Sequence, residues 1–436
     1  MKNKPWADRP LKDLAIALAP SILISAISIT AIFHYTDPAP PHRLLISIDD
    51  EKSESYHYAK QYKEILKEDG IDLVLKSSKG SAENYQNLKN SQSEVEAGFV
   101  HDGFGSPEEA PDLVSLGSLY YEPIWIFYRN QKKLNRISDF IGKKIAIGRE
   151  GGGVKNLIYH LLKASGIREE NTKLIHLGWN DAAMALKESK IDVAFFLATP
   201  QDLMIDTLLK DPEIKLMNLD QAEAITKQFP YLHHLVLPHG AIDLKQNIPN
   251  DDIHLVSPTV TLLVKDSLHP SLMFLLLKAA TQVHGDSGLF EKKNEFPEDK
   301  DYQFPLADEA KSYFKSGPPF WQKLLPFWIA SLIDRFILIA IPALAVVIPL
   351  FRMIPKFYQW RVRNRIYRYY GELKFLETKI KAITDKVALK QFLIELDKIE
   401  DRVNQLKLPL DFSDHLYSLR GHIDFVRQRL QLDLMS

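Results

Sequence analysis

IAIGREGGGVKNLIYHLLKASGI, residues 145–167, reads as a strand that runs into three consecutive glycines and then into an amphipathic helix closed by Gly166. Val154, Leu157, Ile158, Leu161 and Leu162 fall at i, i+3, i+4, i+7 and i+8, so the helix starts near Val154 and lays one stripe on a sheet. Its first unbonded N–H groups lie in Gly152, Gly153 and the residues just after, where the helix dipole is positive and no Cβ obstructs an approaching oxygen. Two phosphate readings fail on spacing. A P-loop needs Gly, four residues, then Gly-Lys-Ser/Thr; from Gly148 the chain reaches Gly153 but continues Val154, Lys155, Asn156. A dinucleotide turn needs a third glycine where Asn156 stands. Two readings stay open: a tight turn that only glycine allows, or a backbone-amide site for an anion or polar oxygen.

Outward from this turn the strand-and-helix unit recurs. RLLISI at 43–48, DLVLK, EAGFV at 96–100, LVSLGSL, EPIWIFYR, KKIAIG, TKLIHL, KIDVAFFL and HLVSPTVTLLV read as strands. Helical patterns lie between some of them, around 82–92, 154–164, 180–188 and 270–283. Alternation of this kind implies α/β lobes with mostly parallel sheets, and a span of about 280 residues suits two lobes better than one. The lobes are expected at about 42–128 with 240–318, and at about 129–239.

Two apolar runs frame this region. Residues 14–33 are 20 without a charge, a helix of about 30 Å, the thickness of a bilayer's hydrocarbon layer. The run is longer than a signal-peptide core and no small-x-small cleavage site follows it, so it reads as an uncleaved anchor at 14–34 after a short N-terminus at 1–13. The second run is interrupted by Asp334 and Arg335, leaving 16 uncharged residues from Phe336 to Phe351, and is expected to span at 331–352. Lys2, Lys4, Arg9 and Lys12 precede the first run. Arg352, Lys356, Arg361, Arg363, Arg365 and Arg368 follow the second without an acid among them. The positive flanks make both ends cytoplasmic and place 42–318 outside a bacterial inner membrane, in the periplasm.

Residues 353–436 differ in character. Leu376, Ile380, Ile383, Val387, Leu393, Leu396, Ile399, Val403 and Leu406 recur near every third and fourth position, and Leu416, Leu419, Ile423, Val426 and Leu430 repeat like a heptad. A cytoplasmic helical hairpin with coiled-coil order is expected, its stripe serving as a core or a homodimer seam.

Several function classes are excluded or disfavoured. A formal net charge of −1 gives no basis for nucleic-acid binding, and zero cysteines remove disulfides, thiolate metal sites and a cysteine nucleophile. His233, His234 and His239 in PYLHHLVLPHG lack the two-histidine-plus-carboxylate helical spacing of a zinc hydrolase, and no Gly-x-Ser-x-Gly elbow occurs. Neither an enzyme nor a cofactor is expected.

Three segments together carry a resemblance: Gly148-Arg-Glu-Gly151-Gly-Gly153-Val154 against Gly-x-x-Gly-Ser-Gly-Thr, LGSLYYEPIWIFYR at 116–129 against Leu-Tyr-x-Glu-Pro, and LKESKIDVAFFLATP at 186–200 against Gly-x-x-Asp-Ala-x-Phe before Pro. Through most of 43–315 the chain resembles the TAXI family of solute-binding proteins of TRAP transporters. The resemblance implies a two-lobed, periplasmic-binding-protein-like α/β fold, here flanked by two transmembrane helices and followed by the helical hairpin. It implies capture of a small organic acid or amino acid for a TRAP-type permease. On this reading Gly151, Gly152 and Gly153 offer amides to a carboxylate, Tyr121, Glu122 and Trp125 line the cleft, and Thr199 and Gln201 face them. Ser55 and Tyr56 keep the place of the family's first-loop tyrosine, but DDEKSESYHY at 49–58 replaces a glycine-rich loop. Asp49, Asp50 and Glu51 would repel a dicarboxylate if they faced the cleft, which points to a ligand with an amine or to a sensing role. A ligand sensor or scaffold is the alternative function, since a mere tether has no use for some 80 residues with heptad order.

Overall fold

Arg43–Ile48 alternates in the manner of a strand, and it forms one, β1, with Leu44, Ile46 and Ile48 fully buried on a single face. The computed structural model describes residues 19, 22–28, 30, 40–129, 132–149, 153–299, 303–318, 320, 324–380, 386–406, 408 and 410–435. The chain divides into two compact units: Ala39–Ile333, and Met1–Pro38 with Asp334–Ser436.

In the first unit β1 leads to α1 (Glu54–Glu68), β2 (Asp72–Ser77), α2 (Ser81–Lys89), β3 (Ala97–His101) and β4 (Leu113–Tyr121). There follow β5 (Ile124–Tyr128), β6 (Lys144–Ala146), α3 (Gly153–Ala164), β7 (Lys173–Ile175), α4 (Trp179–Lys187), β8 (Val193–Leu197), α5 (Leu203–Leu209), β9 (Lys215–Leu216) and α6 (Ala222–Gln228). The unit closes with β10 (Leu232–Leu237), β11 (Ile253–Lys265), α7 (Pro270–His284) and α8 (Asp308–Ser316). One sheet has the order β10-β11-β3-β1-β2, with β4 also on β11, and the other the order β7-β6-β8-β5-β9. The two-sheet α/β architecture is therefore as expected.

The sheets are mixed where mostly parallel ones were expected. β1 pairs in parallel with β2 and β3, and β6 with β7 and β8, through helical crossovers. β11 is antiparallel to β10, β3 and β4, and β5 to β8 and β9. β5 is the first strand after the chain changes sheets, and β11 returns from β10 within its own sheet, so neither is bound by the right-handed crossover of a βαβ unit. By sheet membership the change falls at Glu122 and Pro123, ahead of β5, and the histidine-bearing stretch Leu232–Leu237 is a strand of the first sheet.

In the second unit, α9 (Phe327–Ile380, of which the part from Asp334 belongs here), α10 (Lys386–Asn404) and α11 (Ser413–Met435) replace the expected hairpin with three helices. The run 371–406 that reads as one helix is carried by the end of α9 and by α10. Tyr358, Val362 and Ile366 of α9, Leu396 and Ile399 of α10, and Leu419 and Ile423 of α11 share one core. Arg427 of α11 meets Asp397 at 2.9 Å and also Glu400, both on α10. The heptad stripe thus closes an intramolecular core.

Among the described residues no helix is long and apolar enough to cross a membrane. Of the first expected span, 14–33, residues 19, 22–28 and 30 are described, as helix, and the rest lie outside the described residues, as do several side chains of the second. Phe336, Ile341, Leu344, Ile348 and Phe351 of α9 are exposed.

Candidate functional site

The carboxyl ends of strands from both sheets meet. β1 ends ahead of Asp49 and Asp50, β2 ahead of Lys79, and β3 at His101, while β6 runs out into Gly148 and Arg149. Gly148 has φ +93°, a left-handed turn that favours glycine. Arg149 then reaches over to the first sheet's loops: its Nη2 donates to Lys79 O at 3.0 Å and lies 3.8 Å from Asp50 Oδ2. A cleft at the carboxyl ends of strands, where the chain switches sheets, is where α/β folds take their ligands.

The floor of this cleft is polar and buried. Asn84 of α2 donates to Asp49 Oδ1 at 3.1 Å and to Phe99 O at 2.8 Å, and accepts from the hydroxyls of Ser47 and Ser78 at 2.7 Å each. His101 bonds through Nε2 to Glu122 Oε2 and through Nδ1 to Ser81 Oγ. Asp102 accepts from Thr261 Oγ1 at 2.8 Å and from Thr259 Oγ1, both on β11. Burial pushes the Asp49 carboxyl up to about 6; nearby His101 opposes the rise and Glu122 adds to it. Burial also pulls the His101 pKa down, but the carboxylates of Glu122, Asp49 and Asp102 outweigh it and the net direction is up.

Ser81, His101 and Glu122 stand in one hydrogen-bonded line. Ser81 Oγ is buried and also accepts the His101 main-chain N–H at 3.0 Å, so it has no open approach of the kind a nucleophile needs. The line orients His101 instead.

The residues singled out from sequence are dispersed. Gly151 and Gly152 lie outside the described residues, and Gly153 is the first residue of α3. Ser55 is buried in the first turn of α1 with its hydroxyl 2.9 Å from Tyr120 OH, and Tyr56 packs, half-buried, against the first lobe's core. Trp125 is fully buried and donates through Nε1 to Ala198 O at 2.8 Å, and Tyr121 packs on Phe296 with its OH 3.3 Å from Glu295 Oε1. Both belong to a buried core cluster with Phe127, Phe196 and Phe296. Gln201 is an exposed turn residue.

β5 and β8 pair Ile124 with Leu197 and Trp125 with Phe196, and Ala198 N–H donates to Pro123 O at 3.3 Å. Glu122 N–H donates to Pro258 O of β11 at 3.2 Å, so Glu122 stays with the first sheet, while Thr199 follows the end of β8 in the second. Thr199 is 2% exposed and, among the described residues, its Oγ1 has no hydrogen-bond partner.

Sequence reasoning missed Ser81, His101, Asp102, Thr259 and Thr261. The signal for two of them was present: His101 and Asp102 follow a short apolar strand directly, the place where such folds put their functional groups.

Similar solved structures include the alkanesulfonate-binding protein SsuA of Xanthomonas axonopodis pv. citri bound to MOPS. It is 16% identical, with a TM-score of 0.37, over 56% of this chain and 74% of that one. The periplasmic aliphatic sulphonate-binding protein SsuA of Escherichia coli is 14% identical, with a TM-score of 0.37, over 74% of this chain and 93% of that one. Residues 56–283, from α1 to the end of α7, match the NMT1-like family over more than half of the chain, and the protein belongs to that family.

Proposed function

We propose that the protein is a membrane-tethered binding protein of TAXI type that captures a small organic acid or amino acid between its two sheets for a TRAP-type permease. The observation that carries the binding role is the meeting of strand ends across the switch point, with Arg149 of one sheet's loop on Lys79 and Asp50 of the other's. The tether rests on the 16 uncharged residues from Phe336 to Phe351, their exposed apolar side chains, and the basic flank from Arg352 to Arg368. In this arrangement 42–318 is periplasmic and both termini are cytoplasmic.

The test of binding is a melting experiment on the detergent-purified chain with a panel of organic acids and amino acids. A ligand at about 100 times its Kd stabilises by about 2.7 kcal/mol and raises the midpoint by mass action. No shift with any compound would defeat the reading. A reporter fused after Ser436 tests the tether, since it should be active only as a cytoplasmic fusion.

A sensor role is the second reading, favoured by the packed three-helix unit at the carboxyl end, cross-linked by Arg427 to Asp397 and by Arg402 to Glu372 at 2.8 Å. Ligand-dependent cross-linking between cytoplasmic helices would support it.

A further inference from the structure

Beyond Phe351, α9 presents two different faces. Tyr358, Val362 and Ile366 turn into the three-helix core. Met353, Phe357, Trp360, Asn364, Tyr367 and Gly371, spaced alternately by four and three residues, form a second stripe on the side away from it. Its large side chains are exposed, 62% at Met353, 56% at Trp360 and 59% at Tyr367, and the rings of Phe357 and Trp360 stand 5.4 Å apart.

The flanking charges decide what can cover this stripe. Lys356 and Arg363 edge it on one side, Arg361 and Arg368 on the other. A second copy packed in parallel would set Lys356 against Arg361 and Arg363 against Arg368, cation on cation. No Asp or Glu lies between Asp334 and Glu372 to offset them along the helix, so the face suits an anionic occupant. Position narrows the choice. The stripe starts directly after the uncharged run 336–351, and at 1.5 Å per residue Arg352 and Lys356 stand about 2 and 8 Å beyond Phe351, the depth of a headgroup layer. Helical side chains lean toward the N-terminus, here back toward the apolar run, which brings the longer Trp360 and Arg363 side chains down toward the same layer. Aromatic rings interleaved with Lys and Arg suit the boundary between headgroups and acyl chains.

We propose that Arg352, Lys356 and Arg363 bind the phosphates of anionic phospholipid headgroups, with Met353, Phe357 and Trp360 seated at the acyl boundary beside them. The inference rests on the membrane-tether reading and extends it: the segment after the span is a lipid-selective surface, and the chain gathers acidic lipid around itself.

The test places the full chain in nanodiscs of phosphatidylcholine with phosphatidylglycerol, one of the two lipids carrying brominated acyl chains. The tryptophan quenching that is lost in Trp360→Phe reports this position. Brominated phosphatidylglycerol should quench it several-fold more than brominated phosphatidylcholine at the same mole fraction. Replacing Arg352, Lys356 and Arg363 together by Gln should reduce that preference by about tenfold, and Arg352→Lys with Arg363→Lys should retain most of it. Should the triple variant fail to insert, salt raised from roughly 0.05 to 0.5 M should abolish the preference in the parent chain. Equal quenching by the two lipids with the chain held in the disc would overturn the inference and leave the tether standing. A chain that never enters the disc would overturn both. A disulfide between copies of Trp360→Cys, in a chain with no other cysteine, together with no quenching at this position, would give the stripe to a second copy and overturn the lipid assignment.

Discussion

At Glu122 a single carboxylate is tied to a histidine of the first sheet, and this position was legible as part of a Tyr-x-Glu-Pro stretch. What could not be read was the partner, His101, 21 residues earlier in the chain. A different histidine offers the cleaner test of titration. His284 is buried beside Tyr58, Tyr62 and Tyr120, and burial holds its pKa down to about 3. The folded chain keeps it neutral while the unfolded chain takes up a proton below the ordinary 6.5, so its contribution to stability is full above pH 6.5 and shrinks as pH falls toward 3. At pH 5 the loss is about 2 kcal/mol. Asp49 and His101 act with the opposite sign: both are raised, so the stability they lend falls as pH climbs, from the usual carboxylate value of 3.8 to about 6 for Asp49 and above 6.5 for His101. His284→Leu should therefore hold its melting midpoint better than the parent chain between pH 7 and pH 5. An equal fall in both proteins would refute the assignment.

Among the elements, β4 shows how a strand the sequence announces can still need tertiary packing to take its shape. LVSLGSL reads as a plain strand, but its pairing with β11 slips between Val260 and Thr261 and again between Thr261 and Leu263. Gly117 sits in this irregular ladder with φ +111°, and a Cβ there would lie 2.7 Å from Glu298 O and 2.9 Å from the Phe314 ring. Gly142 has a similar left-handed φ of +80° and open space around it. Gly142→Ala should cost about 1 kcal/mol, the backbone strain alone, and Gly117→Ala about 3 kcal/mol, because a main-chain oxygen must also move. Denaturant midpoints would check both, and equal losses would mean that the close contact is relieved at no cost. β4 itself was visible from its apolar run, but the bulge was not, since it is set by a partner strand more than a hundred residues away.

For the molecule as a whole, the Arg149 bridge between the loops of the two sheets is exposed and single. Pairs of this kind contribute at most about 1 kcal/mol to stability. Its importance is geometric: it spans the cleft. Arg149→Ala should leave the melting midpoint nearly unchanged while lengthening the distance between spin labels at Lys67 on α1 and Lys163 on α3. An unchanged distance distribution would show that the lobes are held by other contacts.

Periodicity alone determined most of the elements, because the spacing of apolar residues is a local property: α3, α4, α7 and β1 fall within a residue or two of where the pattern puts them. The glycine turn was legible as a strand-to-helix junction for the same reason, and the two-lobe α/β class followed from alternation and length. The antiparallel ladders, the three-helix rather than two-helix packing of 353–436, and the burial of Trp125 depended on contacts between segments far apart in sequence. So did the buried polar cluster at the strand ends. Ser81, His101 and Glu122 are 41 residues apart from first to last, and only the packing of α2, β3 and the end of β4 brings them into one hydrogen-bonded line, where low dielectric strengthens each interaction.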